Sequence, residues 1–269
     1  MDKTSLGDRM KMYESQTETR VMPRLPMIVR LDGRSFSKFT KGMKKPFDDD
    51  FRQAMVETTK YLVDKTQAKI GYTQSDEISL VLYTDNLKSG STMFDGRVQK
   101  IASNFASMAT VKFLTEMQKR FPEKVAGDNL PTFDARVFAV PSKVEAYNAI
   151  LWRVNDAVKN SVSMLAHSEF SHKSLHGLST GQKQYKLLTE RDINWNDLPS
   201  GCKQGTFVRK EKVEVKLEQE KLDKIPADKR PENGMVIRGK MVEMDMPNFH
   251  KLSNAIDVIF DGAEPVIEG

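Results

Sequence analysis

Met27-Ile28-Val29-Arg30-Leu31-Asp32-Gly33-Arg34 is a short apolar run, broken by Arg30, that ends on a carboxylate and a glycine. Met27 to Leu31 reads as a buried strand. Asp32 then sits where the strand leaves the sheet, a position from which a side chain reaches a cleft while the sheet holds it still. Gly33 permits a sharp turn and keeps its carbonyl unshielded. Asp-Gly is also a common turn dipeptide, and on this stretch alone a turn is the better reading. A second acidic site, Ser75-Asp76-Glu77, and the elements between the two change that balance.

Downstream of the strand come Arg34-Ser35-Phe36, a basic loop from Lys41 to Lys45, and Pro46. Asp48, Asp49 and Asp50 mark a helix start, where negative charge complements the dipole. Phe51, Met55, Thr58 and Leu62 then recur at helical spacing, predicting a helix from about Asp49 to Gln67. Ile70–Thr73 and Ile78–Tyr83 read as a hairpin whose turn, Gln74-Ser75-Asp76-Glu77, carries the acidic pair. Residues 85–90 read as loop. Ile101, Phe105, Met108 and Lys112 mark one face of a helix from Arg97 to Arg120, and Phe133–Val140 reads as a fourth strand.

Strand, helix, strand, strand, helix, strand is the split βαβ, or ferredoxin-like, order of an α+β fold. Its crossover rule places the first and third strands side by side and antiparallel. The exit of the first strand, at Asp32, then meets the entry of the third, at Asp76. Two carboxylates far apart in sequence become neighbours through topology alone.

Further on, Ser142 and Glu145 have the spacing of a capping box. It opens a helix to about His167, with Trp152 and Val158 expected inside. Thr206–Val215 and Met235–Val242 read as paired strands, Leu217–Arg230 as a solvated charged stretch, and Asn248–Phe260 as a last helix. With no convincing linker, residues 1–141 are expected to form a polymerase-palm-like catalytic core and residues 142–269 a helical and β elaboration integrated with it.

A chain of 269 residues, 39% hydrophobic and 29% charged, buries a sizeable core. There is no apolar run of about 18 residues, so no membrane-spanning helix is expected, and Met1–Met12 lacks the apolar centre of a secretory signal. The single cysteine, Cys202, excludes an internal disulfide framework and a cysteine zinc site, so a reducing cytoplasm is expected. A net charge of +5 accommodates a polyanion without identifying one.

Two aspartates with a glycine carbonyl between them are hard oxygen donors and suit Mg²⁺ better than zinc. Two such ions activate a hydroxyl and stabilise a departing pyrophosphate. Glu77 adds a third carboxylate, which strand alternation turns away from Asp76. Lys44, Lys45, Arg97, Lys100 and Arg136 are candidate phosphate contacts; solvated surface is the competing reading, weaker for Arg136 and Arg30, which lie inside strands. His167, His172 and His176 form a histidine cluster without a cysteine partner and read as surface or RNA-facing rather than metal-binding. Glycine-rich dinucleotide and P-loop patterns are absent.

Arg30-Leu31-Asp32-Gly33-Arg34-Ser35-Phe36, Tyr72-Thr73-Gln74-Ser75-Asp76-Glu77-Ile78-Ser79 and Phe133-Asp134-Ala135-Arg136-Val137 together resemble the tRNA-His guanylyltransferase superfamily. Ile193-Asn194-Trp195-Asn196 and Lys203-Gln204-Gly205-Thr206 extend the likeness, which runs over roughly residues 20–215. The resemblance implies 3′-to-5′ addition of nucleotides to the 5′ end of tRNA. ATP would first activate the 5′ monophosphate, and the 3′ hydroxyl of GTP or another NTP would then displace AMP. It also implies two Mg²⁺ ions on Asp32, the Gly33 carbonyl and Asp76, with Glu77 in the catalytic motif, and a homotetramer. Nucleotide contacts carried over are Arg30, Gly33, Arg34, Ser35, Phe36, Lys45, Ser75, Arg97, Lys100, Arg136 and Asn160. Where eukaryotic members carry His-Ile-Asn-Asn, this chain has Val158-Lys159-Asn160-Ser161. That departure resembles the bacterial and archaeal-type branch, which favours templated repair of 5′-truncated tRNAs.

Repair by Watson–Crick templating needs little base readout from the protein, which has to hold tRNA by shape and phosphate. Lys173, Lys183, Lys186, Lys203, Arg209 and Lys210 are candidates for that grip, with solvated charge an equal reading for each. Two alternatives share the topology: a palm-type nucleotide cyclase, and a non-catalytic RNA-binding module. The second expects exposed aromatics on the central strands, where Asp32 stands instead.

Overall fold

A computed structural model describes residues 5–84, 92–226, 229–231 and 233–267, so the loop expected at 85–90 lies outside the described residues. Six strands form one antiparallel sheet: β1 Met27–Arg34, β2 Ile70–Gln74, β3 Glu77–Leu82, β4 Thr132–Ala139, β5 Thr206–Lys216 and β6 Met235–Met244. Their order is β4-β1-β3-β2-β5-β6. The first four follow the split βαβ arrangement, with β1 and β3 adjacent and antiparallel as the crossover rule requires. β5 and β6 extend the sheet beyond β2.

Side-chain alternation splits the strands between two cores. Val29, Leu31, Ile78, Leu80 and Val208 pack beneath the helices Asp49–Thr66 and Val98–Arg120, which bring Met55, Leu62, Ile101 and Phe105. Ile28, Tyr72, Val81 and Phe207 face the opposite way, against Ile150 and Val154 of the helix Lys143–Glu169 and Val258 and Phe260 of Ala255–Phe260. Residues on both sides of position 141 therefore share the second core. No helix among the described residues is long and apolar enough to cross a membrane.

Most boundaries fall within a residue or two of expectation, for local reasons. The Asp48 side chain accepts from the Phe51 amide and caps the first long helix. Four local readings are corrected. The last helix, expected over Asn248–Phe260, is confined to Ala255–Phe260, because Leu252 bridges Ile267 and separates it from a 3₁₀ turn at Phe249–Lys251. β1 does not end at Leu31 but runs through Asp32 and Gly33 to Arg34, because β4 pairs with it as far as Thr132. Ser142 accepts from the Glu145 amide, but Glu145 accepts from Asn148 instead of reaching back; the reciprocal box is at Ser179 and Gln182. Trp152 is 55% exposed, since the buried side of its helix is set by Ala146, Ile150, Val154 and Ala157.

Candidate active site

Asp32 lies within β1, in register with Glu77 of β3 on one side and Asp134 of β4 on the other. Its face is the one covered in part by the helix Lys143–Glu169. Asp76 reaches it from the two-residue turn between β2 and β3, where Gln74 pairs with Glu77. Ser75 takes a left-handed φ of 50° to close that turn.

Gly33 is required here by close approach rather than by φ. A Cβ on it would stand 2.4 Å from the Phe36 ring and 2.8 Å from the Asp76 Cβ. Phe36 is itself fixed among Phe51, Phe113 and Phe133. The absent side chain lets the hairpin turn sit directly on the β1 backbone.

Burial pushes the Asp76 carboxyl above the ordinary carboxylate range, and the Asp32 charge adds to that, against its own amide and the Ser75 hydroxyl, which lower it. A buried carboxylate with a second carboxylate beside it needs a counter-charge. Arg136 of β4 supplies part of it, 3.5 Å from Asp32. Among the described residues no three His, Cys, Asp or Glu side chains gather as a metal cluster. Two carboxylates and a backbone carbonyl nonetheless fit Mg²⁺, which keeps several waters and takes only one or two protein carboxylates.

Glu77 shares Asp32's sheet face and is held by Arg153 through hydrogen bonds of 2.5 and 2.6 Å, with both side chains mostly buried. Burial raises its carboxyl, and Arg153 and Arg30 act the other way. Arg153, not singled out from the sequence, also reaches Asp156 at 3.0 Å.

Two cavities open on either side of the Ser75–Asp76 turn. One, of about 340 Å³, is lined by Phe36, Lys44, Lys45, Phe47, Met55 and Asp76 among others. The other, of about 350 Å³, includes Arg153, Asp156, Asn160 and His167. Gln74, Ser75, Asp76 and Met164 line both.

Of the sequence candidates, the fold brings Asp32, Gly33, Ser75, Asp76, Glu77, Arg30 and Arg136 together on or beside the sheet, while Phe36, Lys45 and Asn160 line cavities. Arg34 and Ser35 are exposed at the end of β1. Arg97 and Lys100 line neither cavity; Arg97 donates to the Phe94 carbonyl and Lys100 lies over the Phe94 ring. Asp134 was visible in Phe133-Asp134-Ala135-Arg136, where period two puts it on Arg136's face, but only the register sets it across from Asp32.

The six basic residues proposed to grip RNA do not form one surface. Arg209 is 4% exposed and tied to Glu211, Glu264 and the Ala263 carbonyl, which corrects its assignment as an RNA contact. Lys210, one residue on, points to the other face and pairs with Asp64. Lys183 and Lys186 share a helix, Thr180–Arg191, near Ser163 and Phe170, and Lys203 reaches the Asn196 carbonyl. Lys173 is exposed. The His167 and His172 rings stack at 5.5 Å, and those of His172 and His176 lie 6.4 Å apart and tilted by 39°.

Residues 7–141 match the family described as Thg1, tRNAHis guanylyltransferase. A tRNA(His) guanylyltransferase of Saccharomyces cerevisiae is 32% identical over 73% of this chain and 88% of its own length. A bacterial Thg1-like protein solved in complex with ATP superposes with a TM-score of 0.72 at 45% identity, over 77% of this chain and 87% of that one. A bacterial Thg1-like protein in complex with GTP gives 0.72 at 36% identity, over 92% and 95%. With the paired aspartates in the motifs that carry this likeness, the chain belongs to the tRNAHis guanylyltransferase family and is a tRNA-His guanylyltransferase-like enzyme.

Proposed function

We propose that this enzyme adds nucleotides to the 5′ end of tRNA in the 3′-to-5′ direction, with 5′-end repair within its range. The observation that carries the reading is the convergence of Asp32, the Gly33 backbone and Asp76 beside a nucleotide-sized cavity. Carboxylates on the first strand and on the β2–β3 turn of a split βαβ sheet also support a polymerase-palm-like description of the core. Relatives solved with ATP and with GTP support both nucleotides as substrates.

In the first step an oxygen of the tRNA 5′ monophosphate attacks the α-phosphorus of ATP. A phosphoanhydride forms and pyrophosphate leaves. In the second step the 3′ hydroxyl of the incoming nucleotide attacks the 5′ phosphorus of the activated end, and AMP departs. Asp32, Asp76 and the Gly33 carbonyl would hold Mg²⁺, which when bound offsets charge on the phosphates.

The chain's own groups position the reactants. The cavity of about 340 Å³ pairs apolar walls from Phe36, Phe47 and Met55 with Lys44 and Lys45, a combination suited to a base and its phosphates. Arg136 stands beside Asp32, where a phosphate would gain a cationic neighbour. Arg153 locks Glu77, so that carboxylate acts by fixing the hairpin against the helix Lys143–Glu169. Val158-Lys159-Asn160-Ser161 supports templated repair over addition restricted to tRNA-His. A cytoplasmic homotetramer completes the proposal.

A label-transfer assay with 5′-truncated tRNA, ATP, NTPs and Mg²⁺ tests it. Extension is expected with the native chain and at least about a hundred-fold less with Asp32→Ala or Asp76→Ala, tRNA binding being largely kept. Chelation of Mg²⁺ should stop extension and re-addition restore it. Undiminished extension by either variant would sink the assignment.

A further inference from the structure

Three of the chain's four histidines stand in one row. His167 lies in the last turn of the helix Lys143–Glu169, His172 opens the short helix His172–Leu175, and His176 follows it directly. Their ring centres are 5.5 Å apart between His167 and His172, and 6.4 Å apart between His172 and His176. All three are exposed, and none has a hydrogen bond or ion pair among the described residues. The frame that carries them is nevertheless fixed. Leu175, between His172 and His176, is 3% exposed in a small core with Leu165, Ala166 and Leu187. Ser171 caps the short helix by accepting from the Ser174 amide.

Exposed side chains without partners add little to stability, so the fold itself gains little from this row. Its surroundings favour an anion. Lys173 is exposed on the same short helix. On the helix Thr180–Arg191, Lys183 donates to Ser163, which lines the same cavity as His167. Lys186 on that helix pairs with Glu190, and Arg191 stands 3.9 Å from Glu169. Of the acids in the cavity, Glu77 and Asp156 are both held by Arg153, and Asp76 lies beside Asp32. The charge left over around the row is therefore positive.

We infer that His167, His172 and His176 track the backbone of an RNA strand as it leaves the Asp76 turn, each imidazole donating to one phosphate. The inference rests on the proposed function and adds where the polymer's backbone runs. Position ties the row to the reaction. His167 lines a cavity together with Ser75 and Asp76, whereas His172 and His176 line neither cavity, so the row starts at the catalytic turn and leads away from it. Spacing assigns it to a strand rather than to a free nucleotide. Phosphates of a triphosphate share bridging oxygens and lie closer together than these rings. Those of a strand are separated by a sugar, and their separation is close to the 5.5 and 6.4 Å between ring centres. Such contacts position RNA without reading its sequence, which is what templated addition needs.

The probe is a 5′-monophosphorylated acceptor-stem RNA minihelix, its affinity measured by filter retention at about pH 6 and about pH 8, a range in which histidine changes charge. The native chain should bind at least about ten-fold more tightly at the lower pH, with a salt dependence steeper by about two units. Replacing all three histidines by glutamine should shrink the pH effect to within about two-fold and leave KM for ATP within about two-fold. His172→Lys keeps a charge at either pH, so its binding at the higher pH should exceed that of the native chain. The fourth histidine, His250, is bonded to Asn155 and stays in every variant.

A pH effect of native size in the glutamine variant would overturn the inference, since His250 or the RNA would then be its source. So would an equal loss of affinity for ATP, which would place the row with the nucleotide. Binding that is stronger at the higher pH and depends on Zn²⁺ would mark a metal site and also overturn it, because imidazole must lose its proton to hold a metal. Asp32→Ala should lose extension yet keep the pH effect on RNA binding, so failure of the proposed chemistry and failure of the histidine row are separately visible.

Discussion

Gly33 and Asp76 are packed so closely that a Cβ on residue 33 would stand 2.8 Å from the Cβ of residue 76. The same atom would meet the Phe36 ring at 2.4 Å, and that ring is wedged among Phe39, Phe51, Phe113 and Phe133. Neither neighbour can yield by swinging a flexible end. Gly33→Ala should therefore cost on the order of 1–3 kcal/mol in stability. It should also displace Asp76, lowering extension by at least about ten-fold even where the protein remains folded. Urea unfolding and turnover measured on the same preparation check both outcomes.

The pair Arg153–Glu77 is bidentate and mostly removed from water. Deleting one member leaves the other charge stranded, at a cost of about 3–5 kcal/mol. Arg153→Met should thus destabilise strongly. Arg153→Met with Glu77→Gln should lose less than the two single variants summed, by about 2 kcal/mol or more. Additive losses in a denaturant double-mutant cycle would contradict the coupling.

Glu116 is 4% exposed on the helix Val98–Arg120 and receives Lys112, Lys119 and Arg120. Burial pushes its carboxyl up, but the three hydrogen bonds outweigh that and bring it from 4.5 down to about 2. A depressed folded-state value gives stability that is fully present above the unfolded value and is lost as pH falls through the folded one. Between pH 6 and pH 3 the native chain should lose up to about 2 kcal/mol that Glu116→Gln does not. Parallel stability–pH curves for the two proteins would refute this.

Met164 lines both cavities beside Asp76 yet is 40% exposed. A larger side chain there should obstruct nucleotide without disturbing the core. Met164→Trp is expected to raise KM for ATP about ten-fold while the melting temperature moves little. An unchanged KM would remove the cavities from the nucleotide path.

Local pattern in the chain was enough to place the three long helices, Asp49–Thr66, Val98–Arg120 and Lys143–Glu169, and the hairpin. Phe51, Met55 and Leu62 at helical spacing, and the apolar runs flanking Ser75-Asp76, each carry a period that only one kind of element satisfies. Trp152 escaped that logic. Its helix has hydrophobic residues on more than one side, and which side is buried depends on where the sheet lies. Arg209 and Lys210 look alike in sequence and end on opposite faces of β5, one buried under the C-terminal segment and one bridging to Asp64.

The sequence by itself determined the split βαβ order, and with it the meeting of Asp32 and Asp76, because the crossover rule leaves β1 and β3 no other relation. It could not say how far β1 runs. Continued pairing with β4 carries the strand through Asp32 and Gly33, so the dipeptide that looked like a turn is extended chain. The third carboxylate's partner, Arg153, lies 76 residues away on a helix whose rotation is set by packing against Ile28 and Tyr72. Contacts of that kind carry no local period. Only the folded chain holds them.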